Sequence, residues 1–335
     1  MKAIVQERYG SADTLELREI ERPVAGDGEV LVRVRAAAVN ARDWHIMRGD
    51  PRLARYTMPA MFGRSGPRQR VRGSDFAGVV EAVGAGVTGY EPGDEVYGDL
   101  REDDGAFAQY ARVPVAWIGH KPAGLTFEQA AAVPLAATTA LAALRDAGKV
   151  KAGEHVLING ASGGVGTFAV QLAKAYGATV TGVCSTRNAE LVAELGADHV
   201  VDYTREDFTR GGRRYDVVLD LVANRSLGEL RSVLTEHGRL VMSGGGTSGG
   251  GRPSYFGPMA LTIRATLAAK MGDRRVVPLL NVPPSAQSLA TLREHLEAGE
   301  ITPAVDRTFP LERAAEAVRY LEIEHARAKV VISVA

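Results

Sequence analysis

Only one cysteine, Cys184, occurs in 335 residues. That excludes an internal disulfide framework and any metal site built from several cysteines. No charge of either sign is in excess, since 40 Lys and Arg balance 40 Asp and Glu. The chain therefore carries no net field that would draw it to nucleic acid or to an anionic membrane. No apolar run approaches the roughly 20 residues that span a bilayer, and Met1-Lys-Ala-Ile-Val5 reads as a strand rather than a signal peptide. His120, His155, His199, His237, His295 and His325 lack metal-ligand spacing, so no metal site is expected. Internal repeats, coiled coils and charged tails are missing too. What remains is the expectation of a soluble, cytoplasmic chain with neither nucleic acid nor membrane as partner.

The stretch that organises the rest is His155-Val-Leu-Ile-Asn-Gly-Ala-Ser-Gly-Gly-Val-Gly166. Val156, Leu157 and Ile158 form an apolar run of the length of a strand buried on both faces. Gly160, Gly163, Gly164 and Gly166 follow as a tight turn. Val165, Phe168, Ala169 and Leu172 then repeat at i, i+3, i+4 and i+7, the stripe of an amphipathic helix to about residue 176. Strand, glycine turn and helix N-terminus make an anion site, with outward N–H groups and no Cβ atoms to keep a diphosphate away. A second strand at 179–183 follows at the distance expected of a dinucleotide-binding unit.

The length points to about two domains, and 45% apolar residues suffice for their cores. Residues 1 to about 120 are punctuated by Gly, Pro and Asp between alternating stretches such as Val30-Leu-Val-Arg-Val-Arg-Ala36, as in a small β-rich unit. Thr126-Phe-Glu-Gln129 predicts a capping box opening an Ala-rich helix, with a second helix after Pro134. Strands at 155–159, 179–183, 199–201, 216–220 and 238–242 alternate with helices at 164–176, 187–195 and 225–236. That alternation predicts a parallel sheet with helices on both faces. Gly244 to Gly251 is nearly all Gly and Ser, either a surface loop or a flap over the ligand. Helices are predicted at 257–270, 286–298 and 311–322, with a short strand at Arg275-Val-Val-Pro278. The terminal Lys329-Val-Val-Ile-Ser-Val334 should pair back with the first sheet. The expected domains are 1–122 plus 272–335, and an inserted 123–271.

Asn40-Ala-Arg-Asp-Trp-His-Ile-Met-Arg-Gly49, Gly73-Ser-Asp-Phe-Ala-Gly78, Gly93-Asp-Glu-Val96, Gly160-Ala-Ser-Gly-Gly-Val-Gly166, Leu195-Gly-Ala-Asp198 and His325-Ala-Arg-Ala-Lys-Val-Val331 occur in order. Together they resemble the medium-chain dehydrogenase/reductase superfamily, in its zinc-independent quinone oxidoreductase branch, over essentially the whole chain. The resemblance implies an α/β protein: a GroES-like β-rich catalytic domain plus a Rossmann doubly wound parallel-sheet domain, with NAD(P)H between them. Zinc-dependent members carry a cysteine where Asn40 stands and a histidine where Ser74 stands. Asn and Ser are poor zinc ligands, and without a Lewis acid an unactivated alcohol is hard to oxidise. The resemblance thus implies hydride transfer to a quinone or an α,β-unsaturated carbonyl. Two further readings stay open: an enoyl-thioester reductase, and a non-catalytic NADPH-binding sensor or structural protein. A homodimer through an edge strand near Arg275 is a family expectation.

The second strand ends Val183-Cys-Ser-Thr-Arg-Asn188, without the acid that selects NAD through the ribose diol. Ser185 and Arg187 can serve a 2′-phosphate, or simply begin the next helix, and NADPH is the expected cofactor. By similarity Tyr203 lines the adenosine phosphate, with Arg327 or Lys329 approaching from the tail. Ser162, Gly163, Gly164 and Val165 meet the diphosphate, Thr139 the nicotinamide side, and Val222, Ala223, Ser243 and Gly244 the ribose and carboxamide. Candidate proton or hydrogen-bond donors to the acceptor are Asn40, His45 and Tyr56, with water as a further source. Asp43 reads as a backbone hydrogen-bonder rather than a base, and Cys184 as a buried, inert thiol.

Overall fold

The computed structural model describes residues 1–59, 61–243, 259–273, 275–279, 282–324 and 326–335. The glycine-rich stretch, Gly244 and His325 lie outside them.

The first unit begins with an antiparallel pair, β1 (Lys2–Val5) and β2 (Glu16–Glu19). Its main sheet uses β3 (Glu29–Val39), β4 (Asp75–Val83), β5 (Glu95–Asp99), β6 (Tyr110–Pro114) and β7 (Ile118–His120). Along β3, Val30, Val32 and Val34 turn inward and Arg33 and Arg35 outward, the period-two pattern of a half-buried strand. Two helices follow β3: α1 (Ala41–Arg48) and the single turn α2 (Ala54–Thr57). Then α3 (Phe127–Ala131) opens with the expected capping box. The Gln129 backbone N–H donates to Thr126 Oγ1 at 3.2 Å, and the Thr126 N–H donates to Gln129 Oε1 at 3.0 Å. α4 (Pro134–Leu141) follows, with proline in its first turn, where a missing N–H costs nothing.

The second sheet contains β8 (His155–Asn159), β9 (Thr179–Cys184), β10 (His199–Asp202), β11 (Tyr215–Asp220), β12 (Leu234–Met242) and β13 (Val276–Pro278). Their order is β10-β9-β8-β11-β12-β13, and every pairing is parallel. The crossovers include α5 (Gly164–Ala175), α6 (Ala189–Glu194), α7 (Leu227–Ser232) and α8 (Met259–Lys270). On α5 the predicted stripe is the buried one: Phe168, Ala169 and Leu172 are fully inaccessible. Burying Phe168 alone contributes about 1.5–3 kcal/mol.

The chain then returns. α9 (Ala286–Glu297) and α10 (Ala314–Ile323) flank β14 (Val305–Pro310), and β15 (Lys329–Ser333) pairs antiparallel with β3, Val330 opposite Val39. The first sheet thereby runs β14-β15-β3-β4-β5-β7, with β6 paired to the other half of β3.

Three expectations move. β12 begins at Leu234 rather than 238, because its first residue pairs with Tyr215, and this shortens α7 to end at Ser232. β13 hydrogen-bonds to β12, Leu240 opposite Val276, so the parallel sheet runs past the boundary expected at 271. Residues 187–188 belong to a tight turn, Thr186–Asn188, ahead of α6.

One core cluster joins both units. Ala36, Ala38, Ala77 and Tyr97 from the first sheet meet Ala130–Ala132, Ala136, Ala137 and Ala140 of α3 and α4, then Ile158 and Phe168. Alanines let α4 approach both layers closely. α9 closes this junction through Leu289, Leu292 and Leu296, and Tyr97 Oη donates to the Leu289 carbonyl at 3.0 Å.

The tightest packing in the second unit is at Gly166. A Cβ there would stand 2.1 Å from the Gly160 carbonyl oxygen and 2.7 Å from the Ala161 carbonyl carbon, backbone atoms that cannot swing away. Gly166→Ala is therefore expected to lower the unfolding free energy by about 1–3 kcal/mol in urea titration. Gly124→Ala, where a Cβ would meet nothing within 4 Å, should be neutral or slightly stabilising. Equal stability of the two variants would contradict this packing.

Candidate active site

The C-terminal ends of β8, β9, β11 and β12 face one crevice, and the chain crosses to opposite sides of β8 when it continues to β9 and to β11. Open parallel sheets bind ligands at such a switch point. Gly160 (φ +90°) turns the chain off β8, and a Cβ on it would come 2.8 Å from Val222 Cγ2. Gly163 caps α5, where the N–H groups of the first turn are exposed to a ligand. Ser162, Gly163, Gly164 and Val165 thus form one cradle. Two side chains that end apolar strands hold it in shape. Asn159 Nδ2 donates to Asp220 Oδ1 at 2.8 Å, and the N–H groups of Val222 and Ala223 donate to that same oxygen at 3.2 and 3.1 Å. Ala223 sits at φ +61°, and the Ser243 N–H donates to the Asp220 carbonyl at 3.0 Å. Val222, Ala223 and Ser243 accordingly border the cradle, and Asn159 and Asp220 organise it. The sequence signal was there, a polar residue closing each apolar strand.

The C-terminal strand supports the cradle from the other unit. The Ala328 N–H donates to the Ser162 carbonyl at 2.7 Å, and a Cβ on Gly164 would stand 3.0 Å from Lys329 Cδ. The Lys329 stem therefore runs beneath the turn.

Beyond β9 the cradle leads to a cavity of about 240 Å³ lined by Arg187, Asn188, Asp306, Arg307, Tyr320 and Arg327. Asn188 connects it to the glycine turn, donating to Ser162 Oγ at 3.0 Å. Three guanidinium groups and one carboxylate are among its lining. Asp306 accepts from Tyr320 Oη at 2.7 Å and from Arg327 Nε at 3.3 Å, while Arg307 lies 4.3 Å over the Tyr320 ring. Arg187 donates to the Glu324 carbonyl at 3.0 Å. Ser185 opens the turn after β9, and Tyr203, 53% exposed, is tied beside it by its N–H to the Cys184 carbonyl at 3.0 Å. The nearest acid at this strand end is Asp202, opposite Cys184. Its oxygens accept hydrogen bonds from Thr186 and Thr204 and pair with Arg205, and the two threonines hold its carboxyl below the usual range. Arg307 came from too far along the chain to be anticipated. Cys184 is buried, its thiol pushed up to about 11 mainly by that burial.

Across the cleft Asn40 caps α1, its N–H donating to Asp43 Oδ2 at 2.7 Å. Asp43 is indeed a backbone partner, and burial, reinforced by the Asp104 carboxylate, pushes it up to about 7. The Asn40 amide is clamped at both ends. Lys329 Nζ donates to Oδ1 at 2.5 Å, and Nδ2 donates to Asp75 Oδ2 at 3.0 Å. Lys329 Nζ also lies 3.3 Å from Asp75 Oδ2, and the Leu135 N–H at the start of α4 donates to Asp75 Oδ1 at 3.1 Å. Burial raises Asp75 to about 6, against the pull of the Lys329 ammonium. Thr139, one turn further along α4, is half-buried with its hydroxyl donating to the Leu135 carbonyl at 2.7 Å.

The other two donor candidates fare differently. His45 lies on α1 with Nδ1 3.2 Å from the Asp50 carbonyl and its ring stacked 3.7 Å from Trp44. Burial holds it down to about 4, so at neutral pH it is uncharged and is no imidazolium acid. Tyr56 is 68% exposed on α2 and shares no hydrogen bond with Asn40 or Lys329. Only Asn40 joins the cluster. Among the described residues no group of three or more His, Cys, Asp or Glu is arranged to hold a metal ion, and no helix is long and apolar enough to cross a membrane.

Sheet, cradle and interdomain cleft define a two-domain oxidoreductase of the nucleotide-dependent kind. The alcohol dehydrogenase GroES-like domain family matches residues 26–123, and the zinc-binding dehydrogenase family matches residues 195–332. The chain is 34% identical to 2-methylene-furan-3-one reductase of Solanum lycopersicum over 99% of its length and 79% of that protein's. It is equally similar, 34% with the same coverage, to the chloroplastic NADPH-dependent alkenal/one oxidoreductase of Arabidopsis thaliana. The solved quinone oxidoreductase of Coxiella burnetii superposes with a TM-score of 0.84 at 30% identity, covering 100% of this chain and 99% of that one. The chain belongs to the medium-chain dehydrogenase/reductase superfamily, in its quinone oxidoreductase-like branch. It is an oxidoreductase that uses a nicotinamide nucleotide.

The His45 geometry has a measurable consequence. Its folded pKa is depressed, so the stability it confers is present above its unfolded value of about 6.5 and is lost as pH falls toward about 4. His45→Gln should remove that part of the acid destabilisation and leave the pH dependence of turnover between about 5 and 8 unchanged. An ionisation lost from the rate profile in the variant would restore His45 as the acid.

Proposed function

We propose that this chain is a zinc-independent, NADPH-dependent reductase that delivers hydride to a quinone or α,β-unsaturated carbonyl compound. The observation that carries the reading is the position of the Lys329 ammonium, between Asn40 Oδ1 and Asp75 Oδ2. The two oxygens that a cation would use here already hold one. Asn40, Ser74 and Asp75 offer an amide, a hydroxyl and one carboxylate, a set that does not fit a zinc ion, which takes thiolate, imidazole or carboxylate ligands.

The glycine cradle fits a dinucleotide, since a Cβ at Gly163 would meet only the Gly160 carbonyl, at 3.4 Å, and the approach is otherwise open. Exposed N–H groups of the α5 start would bind the diphosphate, and the Lys329 charge beneath the turn would complement it. The cavity bordered by Arg187, Arg307 and Arg327 supports a 2′-phosphate and hence NADPH over NADH. Tyr203 and Ser185 flank that ribose. Thr139, its proton spent on Leu135, keeps lone pairs to accept from a carboxamide. Bound NADPH supplies the hydride, which leaves this chain to orient the acceptor and neutralise its oxygen. Asn40, with one amide hydrogen held by Asp75, has the second to give to that oxygen. β13 is an edge of its sheet, and the exposed Leu267 of the preceding helix and Met271 just beyond it support a homodimer through that side.

The test follows nicotinamide absorbance in chelator-treated enzyme, with NADPH or NADH against ortho-quinones, para-quinones and simple enones. Turnover with NADPH, undiminished by chelator, is expected. Replacing Arg187 and Arg327 together by Ala should cut the NADPH preference about ten- to a hundredfold through loss of charge-assisted hydrogen bonds. Primary-alcohol oxidation stopped by chelator would overturn the reading. Tight NADPH binding without turnover on any of these acceptors would shift it to a thioester acceptor or a non-catalytic nucleotide-binding role.

A further inference from the structure

We infer that Asp75 is the positioning residue of this site, the one side chain that holds the acceptor-side donor, the cofactor-side cation and the helix between them in a single arrangement. The inference rests on the proposed roles of Asn40 and Lys329. Asp75 itself is fully buried at the start of β4. Its two oxygens take three donors from three separate elements: Asn40 Nδ2 at the cap of α1, Lys329 Nζ on β15, and the Leu135 N–H at the first turn of α4.

The consequence concerns orientation. An asparagine amide can face either way, with its oxygen or its NH₂ toward a given neighbour. Lysine can only donate, so the atom that faces Lys329 must be Oδ1. A carboxylate can only accept, so the atom that faces Asp75 must be Nδ2. The pair of neighbours, one cation and one anion, thus fixes the amide with its remaining N–H as the group that Asn40 can offer an acceptor. An amide at position 75 would present one accepting oxygen to three donors. At least one of them would then lose its partner, and the buried Lys329 charge would lose its counter-charge. Through Leu135 the same carboxylate sets the register of α4, which carries Thr139 one turn on.

Titration supports the assignment. The charged groups facing Asp75 are Lys329 from β15 and Asp99 from β5. Burial raises the carboxyl to about 6, with Lys329 opposing and Asp99 adding to the rise. Protonation turns one accepting oxygen into a donor, so the clamp loosens as pH falls through that value.

The experiment compares wild type with Asp75→Asn and Asp75→Glu by three readouts: NADPH fluorescence titration, separate kcat and KM for the acceptor, and the pH profile from 5 to 8. For Asp75→Asn the expected loss in kcat is about ten- to a hundredfold, with a several-fold weaker NADPH Kd, as for losing hydrogen bonds to a charged group. The decline in wild-type rate below pH about 6 should disappear in that variant. Asp75→Glu, which keeps the carboxylate but displaces it, should keep NADPH affinity near wild type while kcat stays low. Asp75→Glu also tests the proposal if Asp75→Asn does not fold. Wild-type kcat and wild-type NADPH affinity in a folded Asp75→Asn, or full kcat in Asp75→Glu, would overturn the assignment. Absence of wild-type turnover would instead count against the reductase reading. Even then the NADPH titration alone decides for or against Asp75.

Discussion

A buried ammonium must be paired, and here that requirement determines how the two units meet. Lys329 is 2% exposed, and stripping such a charge of water costs several kcal/mol unless partners replace the hydration. Its partners, Asn40 and Asp75, sit at the cap of α1 and the start of β4, whereas its stem lies against Gly164 in the other unit. To satisfy one nitrogen, the last strand must pair with β3 in the observed register, and the glycine turn must come to rest on Ala328. The cleft is the space left between these fixed points. More buried charge lies in the first unit: Arg72 pairs with Asp104 at 2.5 Å, and Arg42 approaches Asp99 and Asp104 at 3.7 and 3.8 Å. The first unit thus buries an ionic network as well as its apolar cluster. Such buried pairs yield little net stability, but their geometry is strongly specified.

The opposite material property holds at the junction of the layers. Nine of the buried positions on α3, α4 and the facing strands are alanine: Ala36, Ala38, Ala77, Ala130, Ala131, Ala132, Ala136, Ala137 and Ala140. Small side chains contribute modest burial individually, yet they bring helix backbone close to strand backbone on both sides. Proximity of this kind is what lets a backbone N–H of α4 reach the Asp75 carboxylate. A larger side chain at Ala136 or Ala137 would lever the helix away and lengthen that bond. Packing and polar positioning are therefore coupled at α4.

Much of this was legible in the sequence where the signal is local. The glycine turn, its strand and its helix follow from period and from missing Cβ atoms, and the Thr126–Gln129 capping box from two residue types at a fixed offset. Legibility failed where pairing decided the structure. β12 starts in Leu234-Thr-Glu-His, which reads as polar and turn-like, because a parallel neighbour supplies its hydrogen bonds. β13, expected at 275–278, does form at Val276–Pro278, and what was missed is its pairing with β12, which carries the parallel sheet past residue 271. At the site, positions named from the glycine motif fell together, since one contiguous segment carries them. His45 did not, because its charge state depends on burial against Trp44 and the Asp50 carbonyl, which spacing does not encode. Asp75 stood inside a recognised motif without a role, and three partners 35, 60 and 254 positions away are what give it one.

On the proposed zinc-independent reading, an amide, a hydroxyl and a lysine-bound carboxylate in place of metal ligands limit the chemistry open to this site. A zinc ion stabilises an alkoxide by several kcal/mol, and one amide N–H provides only about 1–1.5 kcal/mol net. For an unactivated alcohol or ketone the shortfall amounts to a factor of about 10² or more in rate. A quinone or enone spreads the incoming charge over a conjugated system before any proton arrives, so its oxygen needs far less help. Of the three donor candidates only Asn40 joins Lys329 and Asp75, and on the proposed reading a donor that weak suits acceptors of this delocalising kind. On the proposed reading, the weakness of the polarising group is itself the filter: the site reduces what conjugation has already activated and leaves isolated carbonyls alone.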